Sequence, residues 1–332
     1  MTSPRPGEFE VIARYFAPLA AGSPMGLGLL DDAALVPVNP GCELVLTTDA
    51  MVAGVHFFPD DPPALIAQKL LRTNLSDLAA MGARALGYLL VTAWRDDTPE
   101  AWIAAFAQGL AADQQIFGIH LVGGDTVATP GSLSFTLTAL GEVAGGRALR
   151  RSGARPGDDI YVSGTIGDAA LGLMVRTGRL DDCDAADAEY LLSRHRLPEP
   201  RLALGQALVG IAGAAIDISD GLVADLGHLC AASGVGAEIA AGALPLSQAA
   251  ARALGRAPVL RETLLTGGDD YELCLTLPPA RAAAAQAAAA RVGPSGGVPL
   301  TAVGRITASS GVRVRDEAGA VLTFRQGGFR HF

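Results

Sequence analysis

The sequence predicts an α+β fold in two domains, on three observations. The chain has 332 residues, and a single hydrophobic core stops growing at about 250–300 residues. Strand-like and helix-like segments mix in both halves, with several strands in succession, which favours α+β over a doubly wound sheet. A segment rich in Gly, Arg and Pro, "GGRALRRSGARPGDD" (145–159), interrupts the chain near its middle and reads as a junction. It sets the domains at 1–145 and 146–332.

The elements run in order along the chain. Residues 43–49 (ELVLTTD), 86–93 (LGYLLVTA), 133–143 (LSFTLTALGEV) and 160–163 (IYVS) read as strands. They are short, rich in β-branched or aromatic residues, and bounded by turn residues. Residues 63–83 read as a helix, with Leu71, Leu75 and Leu78 at helical spacing and Pro62–Pro63 at its start. Residues 99–117 read as a second helix. The second half restarts as strand, Gly turn and helix (YVSGTIGDAALGLMV), with the strand "AAIDIS" later on. "PPARAAAAQAAAARVG" (278–293) reads as an Ala-rich helix, because Ala is the best helix former.

Composition narrows the function classes. Half of the residues are hydrophobic and the formal charge is −9, which argues against a nucleic-acid or anionic-membrane binder. An anionic ligand arriving with metal ions remains compatible. The four cysteines form no C-x-x-C pair, so a reduced cytoplasm fits. The N-terminal "MTSPRPGEFEVIARYF" has no apolar h-region, and no run approaches the ~18 apolar residues of a membrane span.

Chemistry concentrates in the acids. Asp31 and Asp32 follow a Gly-rich turn in "GLGLLDDAALVP". Asp49 ends "LVLTTD", Asp125 ends "IHLVGGD", and Asp217 and Asp220 end "AAIDISD". Asp269 and Asp270 follow two glycines in "LLTGGDDYEL". Loops at strand ends are where rigid scaffolds carry sites, and glycine lets the backbone approach a ligand. Asn74 and Asp77, three apart, share a side of the first helix. Carboxylate and hydroxyl oxygens suit Mg²⁺, which bridges to substrate phosphates.

Each acid also reads as ordinary turn chemistry. Asp225 and Asp270 read as caps or solvated charges, and Asp225 as the exposed face of a helix. His228 reads as surface or core, and His56 is ambiguous alone. "SGTIGDAA" reads as a phosphate cradle or a plain helix start. Lys69 is the sole lysine, so no G-x-x-x-x-G-K-[ST] loop exists. Phosphate charge then falls to Mg²⁺ and arginine, with Arg147, Arg150 and Arg151 as the evident cluster or else a solvated linker.

With these residues assembled, the chain resembles the thiamine-monophosphate kinase family of the aminoimidazole ribonucleotide synthetase-like superfamily. The matching stretches are "DDAAL", "TTDAMVAGVHF", "NLSDLAAMGA", "GGDT", "RSGARPGD", "AAIDISDGLVADLGHL" and "DYELCLT", within a resemblance running from "GEFEVIARYF" to "GGFRHF". It implies two α/β domains, the N-terminal sheets pairing across a homodimer and the C-terminal domain completing an active-site cleft. It implies that Asp32, Thr47, Thr48, Asp49, Asp77, Asp125, Asp217 and Asp220 hold magnesium, with Asp49, Asp77, Asp125 and Asp217 at the catalytic centre. Gly124, Asp125, Arg151 and Ser219 match nucleotide positions. His56, Asp269 and Phe329 match positions facing thiamine monophosphate.

Three departures stand out. Leu30 replaces a usual Gly, "VATPG" replaces an Arg-Gly-Pro-like run, and Asp269 replaces a usual Glu, shortening that side chain by one methylene. The implied reaction converts ATP and thiamine monophosphate to ADP and thiamine diphosphate by direct in-line transfer. Two rivals stand beside it. A selenophosphate synthetase uses a Cys or selenocysteine in an N-terminal loop, and no Cys precedes Asp31. A non-catalytic sensor of the same ligands would be separated from an enzyme by turnover with Mg-ATP.

Overall fold

The computed structural model describes residues 7–180, 182–293, 297–325 and 327–329; residues 330–332, the end of the C-terminal matching stretch, lie outside the described residues. Two compact units form: Met1–Leu78 with Arg84–Gly146, and Ala79–Ala83 with Arg147–Phe332. Residues 79–83 join the second unit through close backbone contacts. Leu149 N donates to Met81 O at 3.0 Å, and a Cβ on Gly205 would stand 2.0 Å from Ala79 O.

The first unit is a four-stranded sheet in the order β1-β4-β2-β3. Its strands are β1 (Cys42–Val52), β2 (Arg84–Trp94), β3 (His120–Ala128) and β4 (Ser134–Ala144). β4 pairs antiparallel with β1 and β2, and β2 pairs parallel with β3. β1 and β2 therefore extend past both ends of the segments 43–49 and 86–93 that local pattern picks out. The run "HLVGGDTVA" forms a strand although two glycines interrupt its β-pattern, because the ladder with β2 supplies its partners.

Two helices serve this sheet, α1 (Pro63–Ala80) and α2 (Glu100–Phe117). Phe106 of α2 packs on Trp94 of β2 and Phe135 of β4, with centroids 5.6 and 4.6 Å apart. Such offset and edge-on aromatic pairs add to area burial. α1 meets α2 backbone to backbone: a Cβ on Gly109 would lie 2.2 Å from Ala64 O. Arg72 of α1 donates to both oxygens of fully buried Asp113 on α2, at 2.7 and 2.8 Å. Gln68 Nε2 adds a third bond at 2.7 Å. A buried ion pair adds little net stability, but removing one partner strands a charge. Its effect here is to hold α1, which carries Asp77, in one register.

The second unit is a six-stranded sheet in the order β10-β7-β9-β5-β8-β6. Its strands are β5 (Asp159–Ser163), β6 (Ala214–Asp217), β7 (Gly236–Ala240), β8 (Leu273–Leu277), β9 (Leu300–Thr307) and β10 (Gly311–Arg315). All neighbours are antiparallel except β10 and β7. Ile160, Ile216, Leu226, Leu229, Ile239 and Ile306 form its core with other apolar residues. Three helices border the acid-bearing loops: α3 (Asp168–Arg176), α4 (Ala185–Arg196) and α5 (Leu222–Ser233). The Ala-rich stretch is shorter than its composition suggests. A 3₁₀ turn at Pro279–Arg281 precedes an α-helix at Ala282–Ala289, since two prolines cannot donate within a helix. Among the described residues no helix is long and apolar enough to cross a membrane.

Gly109→Ala should lower stability by about 1–3 kcal/mol, because the new methyl must push α1 off α2. Urea denaturation monitored by tryptophan fluorescence measures it; an unchanged midpoint would show that the helices are not locked at this crossing.

Candidate active site

In the first unit, strand alternation sorts the candidate side chains. Successive residues of a strand point to opposite faces. Asp49 pairs across with Leu137, and Met51 with Phe135, both fully buried partners on the helix-covered face. Thr47 shares that face, and its hydroxyl donates to Asp77 Oδ2 on α1. Asp49 is pushed up to about 6, first by burial and then by the negative charge of Asp77. The two carboxylates and the Thr47 hydroxyl therefore form one all-oxygen group under like-charge strain.

Thr48 stands on the opposite face. Its hydroxyl donates to Leu137 O at 3.1 Å and accepts from Thr138 Oγ1 at 3.0 Å. One residue of sequence separation thus removes this hydroxyl from the Asp49–Asp77 group. Asn74, one turn before Asp77, is fully buried; its Nδ2 donates to Leu70 O at 2.9 Å while its Oδ1 has no hydrogen-bond partner among the described residues.

Gly124 and Asp125 lie on β3, at the sheet edge opposite β1. Three strand spacings of ~4.8 Å separate the edges by about 14 Å, so this unit does not bring Asp125 to Asp49. Gly124 is required by packing, since a Cβ would fall 1.9 Å from Leu90 O. Asp125 is exposed, and its Oδ1 accepts from Thr126 N at 2.8 Å. Asp32 lies exposed in the irregular stretch before β1. His56 comes just after β1, and its Nδ1 accepts from Val52 N at 3.0 Å, which assigns any proton of the neutral ring to Nε2.

In the second unit the loop Ile218–Gly221, between β6 and α5, is a hub. Asp217 is buried and ends β6; Ser219 and Asp220 are half-buried. Three backbone bonds of 2.8 Å tie this loop to residues 269–272: Asp269 N to Ser219 O, Tyr271 N to Ile218 O, and Ile218 N to Glu272 O. Gly268 permits the approach, since a Cβ there would lie 2.2 Å from Ser219 O. Phe329 N donates to Asp220 O at 3.1 Å, docking the C-terminal segment on the same loop with its ring half exposed. Asp217, Ser219, Asp220, Asp269 and Phe329 are thereby gathered. Arg151 is exposed, and Ser233 Oγ holds its turn by donating to Arg151 O at 2.8 Å and accepting from Gly153 N and Ala154 N.

Of two acids read as caps or solvated charges, Asp270 takes the cap alternative, and Asp225 departs from its reading as an exposed helix face. Asp225 is not an exposed helix face but 3 % exposed. Its Oδ2 accepts from the N–H groups of Ser219, Asp220 and Gly221 at 3.0–3.1 Å, and burial pushes it up to about 7 against those bonds. Asp270 is likewise buried rather than solvated. It accepts from Gly167 N at 2.7 Å and Ala169 N at 3.4 Å, so "SGTIGDAA" is a helix start whose donors already hold a carboxylate. Burial raises Asp270 well above its ordinary range. His228 is exposed.

Glu272 does not stand out in the sequence. It is fully buried, accepts from Ser163 Oγ at 2.6 Å and Arg201 Nε at 2.7 Å, and pairs with Arg194 at 3.3 Å. The arginines in "RHRLPEPR" are the available signal, but their target lies some seventy residues on in the chain.

Comparison with known proteins identifies the family. The chain matches the models "AIR synthase related protein, N-terminal domain" over residues 30–143 and "AIR synthase related protein, C-terminal domain" over residues 155–317. It is 45% identical to the thiamine-monophosphate kinase of Salmonella typhimurium over 98% of both chains. The chain belongs to the thiamine-monophosphate kinase family. A solved family structure from Stenotrophomonas maltophilia superposes with a TM-score of 0.79 at 44% identity, covering 86% of this chain and 89% of that one. AaThiL complexed with AMPPCP and TMP superposes with a TM-score of 0.76 at 30% identity, covering 91% of each chain.

The magnesium that the resemblance implies fits the donors present. They are carboxylate and hydroxyl oxygens, and Asp49 is strained by a neighbouring charge that a cation would relieve. Among the described residues no three His, Cys, Asp or Glu side chains gather into a closed cage. Magnesium is commonly held by one or two carboxylates, with water and phosphate oxygens completing its shell.

The pH dependence of folding has a source in Asp225. The folded state keeps its proton up to about pH 7, whereas an unfolded Asp gives it up near ~3.9. Between these values the folded state binds more protons, so stability falls as pH rises and levels above about 7. The exposed acids Asp97 and Glu317 are held below their ordinary values, so their opposite contribution titrates lower. Asp49 and Asp270, also raised, contribute in the same direction, so Asp225→Asn should reduce but not abolish the decline between about pH 5 and 7; an unchanged slope in urea titrations would show that Asp225 contributes nothing to it.

Proposed function

We propose that this chain transfers the terminal phosphoryl group of ATP to thiamine monophosphate, giving ADP and thiamine diphosphate. The observation that carries the reading is the end-to-end identity with a thiamine-monophosphate kinase, 45% over 98% of both chains. The acids on β1, α1, β3 and the β6–α5 loop supply the matching chemistry.

Asp32, Thr47, Asp49, Asp77, Asp125, Asp217 and Asp220 are the proposed magnesium positions, with Asp49, Asp77, Asp125 and Asp217 central; Thr48, grouped with them by the resemblance, turns its hydroxyl to the opposite face of the sheet. Magnesium bound there supplies neutralisation of phosphate charge. That need is large: at ~4 Å and an effective dielectric of ~20, each pair of unit charges opposes approach by about 4 kcal/mol. Gly124, Asp125, Arg151 and Ser219 are proposed to contact the nucleotide. Gly124 leaves its backbone uncovered, and Arg151 offers an exposed cation.

The nucleophile is an oxygen of the substrate phosphate. Its second pKa lies near ~6, so it is largely dianionic at neutral pH and needs no general base. Positioning and charge stabilisation then do the catalytic work, and no side chain need carry the phosphoryl group. His56, Asp269 and Phe329 are proposed to face thiamine monophosphate. Asp269 would attract the fixed positive charge of the thiazolium, and the half-exposed ring of Phe329 would add a cation–π contact of about 0.5–2 kcal/mol.

A homodimer belongs to the same reading. The sheet face that carries Thr48 is apolar and open. Leu46 is 60% exposed, Val91 41% and Val127 43%, whereas isolated apolar residues rather than a connected face are normal on a monomer. A second copy of this sheet is the proposed cover. A cytoplasmic location is proposed from the four cysteines, all free thiols.

Purified protein with Mg-ATP and thiamine monophosphate should release ADP and thiamine diphosphate; binding of both ligands without turnover would overturn the reading. Asp49→Asn should abolish turnover yet raise stability at pH 7.5, without added magnesium, by about 1 kcal/mol, because it removes like-charge repulsion. Lost turnover with lost stability would instead make Asp49 a structural residue. Leu46→Glu should convert a dimer to monomer in light scattering; a wild-type monomer would overturn the dimer reading.

A further inference from the structure

The carboxylate proposed to face thiamine monophosphate is not placed by its own loop alone. Asp269 and Tyr271 both adopt left-handed backbone conformations, φ +71° and +52°. Non-glycine residues rarely do so, and such conformations persist only where the surroundings over-determine them. Here the backbone bonds to Ser219 and Ile218 do so. The Asp269 side chain is 34% exposed, and Tyr271 OH donates to its Oδ1 at 3.3 Å.

Its Oδ2 faces α4, where His195 Nδ1 lies 3.5 Å away with the His195 side chain only 7% exposed. That distance is a close polar contact, too long for a well-formed hydrogen bond. The imidazole is delivered by a rigid helix. A Cβ on Gly172 of α3 would lie 2.1 Å from Leu191 O and 2.9 Å from His195 Cβ, so α3 and α4 touch through their backbones at this point. The neighbouring Arg194 pairs with Glu272, as does Arg201, so both arginines are directed at Glu272, three residues on from Asp269.

We propose that His195 is a positioning residue for Asp269, aiming a carboxylate one methylene shorter than the usual Glu and so setting affinity for the thiazolium substrate. This rests on the reading of Asp269 as substrate-facing. His195 acts through Asp269 and needs no contact with substrate.

The test is a double-mutant cycle with KM for thiamine monophosphate and for ATP measured separately, alongside thermal unfolding. Asp269→Ala and His195→Leu should each raise KM for thiamine monophosphate about tenfold and leave KM for ATP within about twofold. His195→Leu in the Asp269→Ala background should add nothing. His195→Asn, which keeps an N–H near the Nδ1 position, should restore most of the affinity, while His195→Gln should not; this pair decides the matter if the leucine variant fails to fold. Equal His195→Leu effects in both backgrounds would overturn the positioning role while leaving the substrate-side reading intact. If Asp269→Ala leaves KM for thiamine monophosphate unchanged, that reading fails and the proposal falls with it.

Discussion

Like charges resist being crowded, and the architecture of this protein is organised around holding carboxylates where they repel. Asp49 shows the cost directly, its proton held up to about pH 6 by burial and by Asp77. Two rigid elements impose that proximity, a strand of the sheet and a helix fixed by the Arg72–Asp113 pair and by the Gly109 crossing. Neither carboxylate can retreat without breaking a ladder or a helix contact. A site strained in this way is poised for a cation, because the binding of positive charge relieves a repulsion already present in the fold.

The second unit meets the same problem with supporting acids. Asp225 and Asp270 are buried and commit their oxygens to backbone N–H groups. They shape the loops that present Asp217, Asp220 and Asp269. Glu272 plays a comparable part, neutralised by Arg194 and Arg201. Acids that build the scaffold thus stand beside acids that face outward, at adjacent positions in the case of Asp269 and Asp270.

This division suits phosphoryl transfer to a phosphate. The nucleophile arrives ionised, so the protein need not generate it. What it must supply is a rigid array in which anions can approach, and rigidity is what the backbone bonds between residues 218–219 and 269–272 provide.

Fold class, family resemblance and the set of candidate acids were legible in the amino-acid order, but their placement at strand ends held for Asp217 alone: Asp49 and Asp125 lie inside β1 and β3. Period-two alternation, turn glycines and motif order are local properties, readable without coordinates. Which acids serve as supports was not legible there. Asp225 reads as a solvated helical residue until the bend of residues 219–221 brings three N–H groups to its oxygen. Sheet order likewise lies beyond local pattern: Asp49 and Asp125 end similar apolar runs, yet β1 and β3 occupy opposite edges. His195 and Glu272 acquire their roles from partners more than seventy residues away in the chain. Burial and choice of partner depend on neighbours distant in sequence, and those neighbours exist only once the chain has folded.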